Sequence, residues 1–134
     1  MLPERYLERF NYEGNFPYRN GCVAVFAGDD CARSELVIDP GRHYNSVGVV
    51  HGAVYLMIAD SVAAVAANTD GEIRLSTVGS YEMLGSAREG TLHAEATLMR
   101  KTNRLIYHRV EIRDDAGALV FHATVQSFRA AKKG

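Results

Sequence analysis

A polar run followed by a single carboxylate contains the residue types that chemistry at a carbonyl group uses. Asn45 precedes the pair His51-Gly52, and Asp60 follows within the next apolar segment. Free backbone N–H groups at a helix N-terminus stabilise a developing oxyanion, and a glycine there lets a carbonyl group approach closely. An ionised carboxylate among alanines and valines is unfavourable unless it has a function. Asp60 is therefore predicted to act as a general base, which we slightly favour, or as a nucleophile.

The remaining nucleophilic and titratable side chains carry weaker signals. His51 lies just ahead of a predicted helix, where a structural hydrogen bond is at least as good an interpretation as catalysis. His108 alternates with apolar residues on a predicted strand, which is typical of a core histidine. The histidines show no metal-ligand spacing, so no metal site is predicted. Cys22 and Cys31 have no adjacent His or Lys pattern that would activate a thiol, and we interpret both as packing residues.

The segment that carries Asp60 is predicted to be a helix over Ala53–Asn68, stopped by Asp70-Gly71. It is apolar on almost every side, which predicts a helix that is buried all round. The longer run Val49–Ala67 approaches the length of a bilayer span. Asp60 near its middle, and alanines in place of leucines, argue against a membrane helix. The protein is predicted to have no membrane association.

Strand patterns provide the elements that would enclose this helix. Cys22–Phe26 and Ala32–Ile38 flank a Gly-Asp-Asp turn and predict a first hairpin. Later segments rich in Thr, Val, Ile, Tyr and Phe predict four longer strands, at Arg74–Leu84, Thr91–Arg100, Arg104–Arg113 and Leu119–Phe128. The connections between these four are short, so they are predicted to form an antiparallel meander. Near the chain start, Pro3–Phe10 is predicted to be a short amphipathic helix that packs as a lid.

Length and composition set the class of protein. The chain has 134 residues, of which 47% are hydrophobic, and this fits one globular domain over residues 1–134. Fifteen basic and sixteen acidic residues give a formal charge of -1, so no field exists to hold a polyanion and nucleic acid is not expected as a partner. Two cysteines and no secretory apolar region after Met1 indicate a reducing, cytoplasmic location.

The predicted architecture is α+β, with an antiparallel sheet of five to six strands wrapped around one long buried helix, which is the hotdog arrangement. The run from Asn45 to Ala53, followed by Asp60 in the helix, resembles the signature of the PaaI-type thioesterases. That family, within the 4-hydroxybenzoyl-CoA thioesterase-like superfamily, carries an Asn, a glycine, His-Gly-Gly and a helical Asp. The resemblance extends from the strand at Ala32–Ile38 to Phe128, and the His-Gly and Asp spacing is its most specific part.

The resemblance implies an acyl-CoA thioesterase that hydrolyses its substrate to a free acid and CoA. It implies that Asp60 is the catalytic carboxylate, that Asn45 orients water or the carbonyl, and that Gly52 is the oxyanion donor. Ser76 is the weaker match for a supporting hydroxyl. No cofactor is implied beyond the coenzyme A of the substrate. Ala53 departs from the pattern, because many members have a second glycine there.

Substrate contacts outside this group follow from the chemistry of an acyl-CoA molecule. The phosphates of coenzyme A require cations, and His51 is a candidate for a further substrate contact. The candidate cations are Arg88, Lys101, Arg104 and the tail residues Arg129, Lys132 and Lys133. For the acyl pocket the candidates are Phe10, Tyr55 and Met57.

Helix geometry predicts that the site needs two chains. The eight positions from Gly52 to Asp60 span about 12 Å at 1.5 Å per residue. An oxyanion donor and a base acting on one carbonyl group can bridge only about 6–8 Å. A two-fold, antiparallel second copy of the helix would bring the two groups together. A homodimer is therefore predicted, with a homotetramer built as a dimer of dimers as the larger alternative.

Two other functions are compatible with the same fold. One is an acyl-thioester hydratase or dehydratase, for which His43 and Asp60 lack the expected local motif. The other is a non-catalytic acyl-CoA binding module, in whose favour Ala53 is the single feature.

Overall fold

A computed structural model of the chain describes residues 3–130, so Lys132 and Lys133 lie outside the described residues. Four helices and six strands follow in the order α1 (Pro3–Leu7), α2 (Phe16–Arg19), β1 (Cys22–Gly28), β2 (Cys31–Val37), α3 (Pro40–His43), α4 (Gly52–Ala67), β3 (Arg74–Met83), β4 (Thr91–Lys101), β5 (Leu105–Arg113) and β6 (Leu119–Arg129). The strands form one antiparallel sheet in the order β1-β2-β4-β5-β6-β3. Helix α4 packs on that sheet, which confirms the predicted α+β hotdog architecture.

The core lies between α4 and the inner face of the sheet. Ile58 and Val62 of the helix are completely buried, and so are Leu92, Ile112 and Phe121 of the sheet. Burying an aliphatic or aromatic side chain of this size contributes about 1.5–3 kcal/mol. Alanines on both surfaces let the helix backbone approach the strands closely, and those on β4 alternate with exposed polar residues as predicted. Within residues 3–130, no helix is both long and apolar enough to cross a bilayer.

The prediction that the central helix is buried all round is wrong for the single chain. Ala53, Leu56 and Asp60 are exposed, while nine residues on the other faces of α4 are buried. The sheet covers only one side of the helix, and the exposed residues recur at the helical spacing that defines one stripe. We call the surface formed by Ala53, Leu56 and Asp60 the open stripe. It places the predicted catalytic carboxylate at the surface of the chain.

The predicted meander is also wrong at its first connection. Strand β3 pairs with β6 at the far edge of the sheet, and residues 84–90 cross to β4 instead of forming a hairpin turn. Leu84 and Gly85 donate backbone hydrogen bonds to the carbonyl oxygen of Val120, and the buried Ala87 bonds both Val50 and the Tyr55 hydroxyl. The crossing segment is held by these long-range partners. Its glycines gave a local turn signal that carries no information about which strands pair.

The hairpin between β1 and β2 is confirmed, and its turn leads to a buried histidine. Asp29 and Asp30 both have positive φ angles, as a two-residue hairpin turn of this kind requires. The Nε2 atom of His108 lies 2.7 Å from the carbonyl oxygen of Asp30, and the ring is completely buried. His108 is therefore a core residue, as its strand pattern predicted.

Burial of His108 makes the fold sensitive to acid. Burial lowers the pKa of His108 below its usual 6.5, and the Asp30 carbonyl opposes this only in part. The unfolded chain therefore takes up a proton in a range where the folded chain resists it, and the free energy of unfolding should fall as the pH drops below about 6.5. His108→Gln keeps an N–H donor for Asp30 but does not titrate. Urea unfolding between pH 5 and 8 should show a smaller pH slope for His108→Gln. An unchanged slope would assign the acid sensitivity to other groups.

Candidate active site

Asp60 and Ser76 form a hydrogen-bonded pair on the open side of the chain. The Ser76 hydroxyl donates to Oδ1 of Asp60 at 2.5 Å, joining α4 to the edge strand β3. Ser76 lies at a bulge in the pairing of β3 with β6, a local irregularity that can re-aim side chains. Within residues 3–130 no donor bonds the second oxygen, Oδ2, of Asp60. The structure thus brings together the predicted carboxylate and its supporting hydroxyl, with one oxygen left for a water or a substrate.

Two clefts meet at Asp60. The first, of about 330 Å³, lies between α4 and β3, and we call it the β3 cleft; it is lined by Leu56, Ala59, Asp60, Ala123, Val125 and β3 residues 76–81. The second, of about 300 Å³, lies between α4 and the segment before β1, and we call it the N-terminal cleft; it is lined by Phe10, Asn15, Phe16, Pro17, Met57, Asp60, Ser61 and Ala64. Helical spacing explains this division. Leu56 and Ala59 lie on the side of the helix that faces the β3 cleft. Met57, Ser61 and Ala64 lie on the side that faces the N-terminal cleft.

The first turn of α4 carries the predicted oxyanion donor. The helix begins at Gly52, and His51 is its N-cap, with Nδ1 accepting a hydrogen bond from the Ala53 N–H at 3.0 Å. In the described part of the chain the Gly52 N–H has no acceptor. A Cβ at Gly52 would lie 2.6 Å from the Met83 methyl group, so the glycine also makes room for Met83. His51 thus has a structural role, while the Gly52 N–H is available to an oxyanion.

Asn45 organises the loop that leads into α4. Its Oδ1 accepts hydrogen bonds from the N–H groups of Val47 at 3.0 Å and Val49 at 3.1 Å. Its own N–H bonds the Val49 carbonyl oxygen at 2.8 Å. Among residues 3–130 the Nδ2 group of Asn45 has no partner. The oxygen of the amide is therefore used by the loop, and the NH₂ group is what Asn45 can offer to a carbonyl or a water.

Two substitutions of Asn45 distinguish a role in the reaction from a role in holding the loop. Asn45→Asp keeps an acceptor oxygen for Val47 and Val49 but removes the NH₂ donor, whereas Asn45→Ala removes both. If the NH₂ group acts on the reacting carbonyl, both variants should lower kcat by at least about tenfold with little change in KM. If Asn45 only holds the loop, Asn45→Asp should keep near-normal kcat while Asn45→Ala loses it. Steady-state thiol release from an acyl-CoA measures both.

The two halves of the predicted site lie far apart in one chain. Gly52 and Asp60 belong to the same uninterrupted helix, so their backbone positions are about 12 Å apart along its axis. Asn45 lies at the Gly52 end, because Tyr44 bridges to Val50 and His43 accepts a bond from the His51 N–H. One chain therefore presents an Asn45–Gly52 half at the start of α4 and an Asp60–Ser76 half at its middle.

The candidate phosphate-binding cations divide between the two ends of α4. Arg88 is exposed beside the Asn45–Gly52 half, where its carbonyl oxygen accepts a bond from the Tyr44 hydroxyl. Lys101 lies at the other end, and its Nζ is 3.1 Å from Asp30 and 3.0 Å from Asp70. Hydrogen bonding to Asp70 and to Asp30 raises the pKa of Lys101. Lys101 is thus already paired with two carboxylates of the chain, and Arg88 is better placed to bind a phosphate group of coenzyme A.

Arg104 and Arg129 lie at the same end as Lys101. Arg104 is an exposed residue of the turn between β4 and β5, and its carbonyl oxygen accepts a hydrogen bond from the Arg129 N–H. The Arg129 guanidinium lies 3.8 Å from Glu72. Both are therefore remote from the Asn45–Gly52 half along α4.

The N-terminal cleft contains residues that the sequence did not single out. Phe10 and Met57 were candidates for the acyl pocket and do line this cleft. Tyr55, the third candidate, is buried in the core and stacks on Phe121. Phe16 and Pro17 were missed because the segment before β1 has no helical or alternating pattern. The one available signal was a set of aromatic residues in an irregular polar segment.

Fold and site define a hotdog protein with a carboxylate on its central helix beside a helix N-terminus with a free N–H. The chain belongs to the thioesterase superfamily, whose family profile matches residues 47–121. This confirms the family that the motif around Asn45, Gly52 and Asp60 suggested.

Individual relatives agree with this family. A protein of Archaeoglobus fulgidus with the provisional name of esterase is 30% identical over 90 residues, which cover 66% of this chain and 58% of that protein. The match thus spans little more than half of the length of that relative. A thioesterase of Haemophilus influenzae has a similar structure, with a TM-score of 0.85, 18% identity and coverage of 96% of this chain and 90% of that one. The PaaI protein of the E. coli phenylacetic acid degradation operon gives a TM-score of 0.79, 18% identity and coverage of 84% and 81%. At these identities the two structures support the fold.

Proposed function

We propose that the protein is an acyl-CoA thioesterase. The observation that carries this proposal is the Asp60–Ser76 pair, exposed where two clefts meet on a thioesterase-superfamily fold. In the proposed reaction Asp60 takes a proton from a water that attacks the thioester carbon. The developing oxyanion is stabilised by the Gly52 N–H, and the C–S bond breaks as the oxyanion collapses. The leaving CoA thiolate takes the proton held by Asp60, which gives the free acid and CoA and regenerates the carboxylate. Direct attack by Asp60 is the alternative route to the same products.

The proposed active unit is a homodimer that pairs through β3. The opposite edge of the sheet is blocked, because the Asn11 side chain donates to the Ala24 carbonyl and accepts from the Ala24 N–H, as a neighbouring strand would. Strand β3 has no such cover among the described residues. Its exposed apolar side chains, which add to the exposed Leu56 of the open stripe, are Leu75, Val78, Tyr81 and Met83. An exposed apolar edge of this length favours pairing with a second copy.

A two-fold dimer of this kind would complete the site. It would set the two copies of α4 side by side and antiparallel, so that the Asn45–Gly52 half of one protomer faces the Asp60–Ser76 half of its partner. Two equivalent sites result, each with Arg88 close to the Gly52 end for the phosphates of coenzyme A. The dimer of dimers and the cytoplasmic location stay predictions from the sequence.

The proposal is tested with a panel of acyl-CoA thioesters. Free thiol release is followed with the purified protein, and hydration of crotonyl-CoA is measured in parallel. Thiol release well above the rate without protein is the expected result. Hydration without thiol release would support a hydratase instead. Binding of the acyl-CoA compounds with neither reaction would support the non-catalytic binding module and would contradict the proposed activity.

A further inference from the structure

The geometry points to the N-terminal cleft as the acyl-binding pocket, and we infer that it selects uncharged, apolar acyl groups of up to about ten carbons. This inference rests on the proposed thioesterase activity and specifies its substrate class. It assigns a selective role to the segment before β1, especially to Phe16.

The walls of the cleft are mostly apolar, and the proposed catalytic group lies among them. Asn15 and Ser61 are the other polar residues of the lining. Met57 and Ala64 line the helix side, and Phe10, Phe16 and Pro17 line the opposite side. Asp60 lies between Met57 and Ala64 on the helix, so an acyl chain in the cleft would lie beside the carboxylate. Apolar walls that converge on a few polar groups are the usual form of a small-molecule site.

The wall that faces the helix is fixed in place. The buried Tyr6 hydroxyl donates to the Val65 carbonyl oxygen at 2.7 Å, and the Phe10 ring packs edge-on against Tyr6 at 5.3 Å. Asn15 donates to the Phe10 carbonyl oxygen at 2.8 Å, which holds the segment in a tight loop. The cleft therefore exists before a ligand binds, and binding requires little ordering of the protein.

Phe16 is unusual in this rigid segment. It is 60% exposed although it is among the largest apolar side chains of the protein, and it lies at the cleft. An apolar chain in the cleft would cover part of the ring and remove that area from water, which favours binding. This exposure is explained if the ring contacts a ligand.

The β3 cleft is the less suitable pocket. Its β3 wall carries the hydroxyl groups of Ser76, Thr77 and Ser80, and it opens along the strand that the proposed dimer would cover. The N-terminal cleft lies on the other side of Asp60, next to the segment before β1. A partner paired through β3 would therefore fill the first cleft and leave the second for substrate.

Charge and size limit the acyl group. The residues that line the N-terminal cleft in the described chain include Asp60 but no Lys or Arg, so a second carboxylate on the acyl group would be repelled and would find no cation to pair with. The cleft measures about 300 Å³. A methylene group is similar in size to a water molecule, which takes about 30 Å³ in the liquid, so about ten carbons fill the cleft.

The test uses non-hydrolysable S-alkyl-CoA thioethers with butyl, hexyl, octyl and dodecyl chains. Calorimetry should show Kd falling by up to about fourfold per added methylene as far as octyl, and little further gain at dodecyl. Ala64 is half-buried at the cleft, so Ala64→Phe should fill the cleft from the helix side. That variant should weaken octyl-CoA thioether binding by at least about tenfold and change butyl binding by less than about threefold.

Matched variants separate the cleft from general effects on the segment. Phe16→Ala should weaken octyl binding about tenfold relative to butyl, and it provides the readout if Ala64→Phe fails to fold. Tyr12 is an exposed aromatic residue of the same segment that does not line the cleft, so Tyr12→Ala should leave the chain-length profile unchanged.

The outcomes distinguish this inference from the proposed activity. A folded Ala64→Phe or Phe16→Ala variant that keeps the wild-type chain-length profile overturns the cleft as the acyl pocket, even if thioesters are hydrolysed. Wild-type protein that binds thioethers with the expected chain-length limit, lost in the variants, supports the cleft even if no thioester is turned over. In that case only the proposed activity fails.

Discussion

Replacing Asp60 by asparagine is expected to lower kcat/KM for thioester hydrolysis by at least about a hundredfold, the usual scale for the loss of an acid–base group. The amide of Asn cannot take a proton from water and is a poor nucleophile. Its oxygen can still accept the hydrogen bond from Ser76, and the position is exposed in the single chain, so the fold should be retained. Thiol release and thermal unfolding are measured together. Near-normal turnover by a folded Asp60→Asn protein would place the chemistry elsewhere.

Ser76→Ala is the companion variant. It leaves the Asp60 carboxylate in place but removes the hydrogen bond that orients it, so the expected loss is smaller, about tenfold, and falls on kcat more than on KM. Equal losses in the two variants would mean that the pair acts as a unit. No loss in Ser76→Ala would make the hydroxyl a structural link between α4 and β3.

The parts of the fold with a regular period could be predicted from the sequence. Helix α4 and all six strands were found within a few residues of their ends. Burial on one face leaves an alternating or helical pattern of apolar residues, whereas β3, which is exposed from Leu75 to Met83, was found from its β-forming residue types. Pairing was predicted only where a tight turn specifies it, as at Asp29-Asp30. The partner of β3 depends on contacts with Val120 and Tyr55 that are distant in sequence, so a local turn signal at Gly85 was misleading.

The roles of the candidate site residues stay predictions from the sequence, while the structure shows where these residues lie. Asp60 and Ser76 are in hydrogen-bond contact, since a helix and an edge strand bring them together. The local hydrogen bonds of Asn45 and His51 could not be foreseen, because several polar groups in a loop compete for the same partners. Exposure of Asp60 was missed for another reason. An apolar stripe that forms an interface with another protein has the same composition as one that faces the core, so the sequence does not distinguish the two.

Mixing two inactive variants is expected to restore activity, and this second large effect tests whether the site is shared between protomers. Asp60→Asn removes the base, and Gly52→Pro removes the N–H donor at the first position of α4. Proline is well tolerated at that position of a helix, and His51 already has the extended backbone that a following proline requires. A Cβ at this position meets only the flexible end of the Met83 side chain.

Gly52→Ala is the matched control for the proline. It adds the same Cβ next to Met83 but keeps the backbone N–H. If the N–H is what the reaction needs, Gly52→Ala should keep far more activity than Gly52→Pro. If the two variants are equally inactive, contact with Met83 is responsible, and the oxyanion role of Gly52 is contradicted.

In a mixed dimer of Asp60→Asn with Gly52→Pro, two-fold symmetry places both defects in one site and leaves the other site intact. Each mixed dimer should therefore have about half the activity of the wild type. Random exchange of equal amounts makes about half of the dimers mixed, so the whole sample should recover about a quarter. Exchange is followed independently with a tag on one variant. A site within one chain predicts no recovery at all, because each protomer of the mixed dimer lacks one of the two groups. Activity that stays at the level of the separate variants, in a sample with proven exchange, would thus assign the site to a single protomer. Because α4 holds Gly52 and Asp60 about 12 Å apart, the oxyanion donor would then be a group other than Gly52.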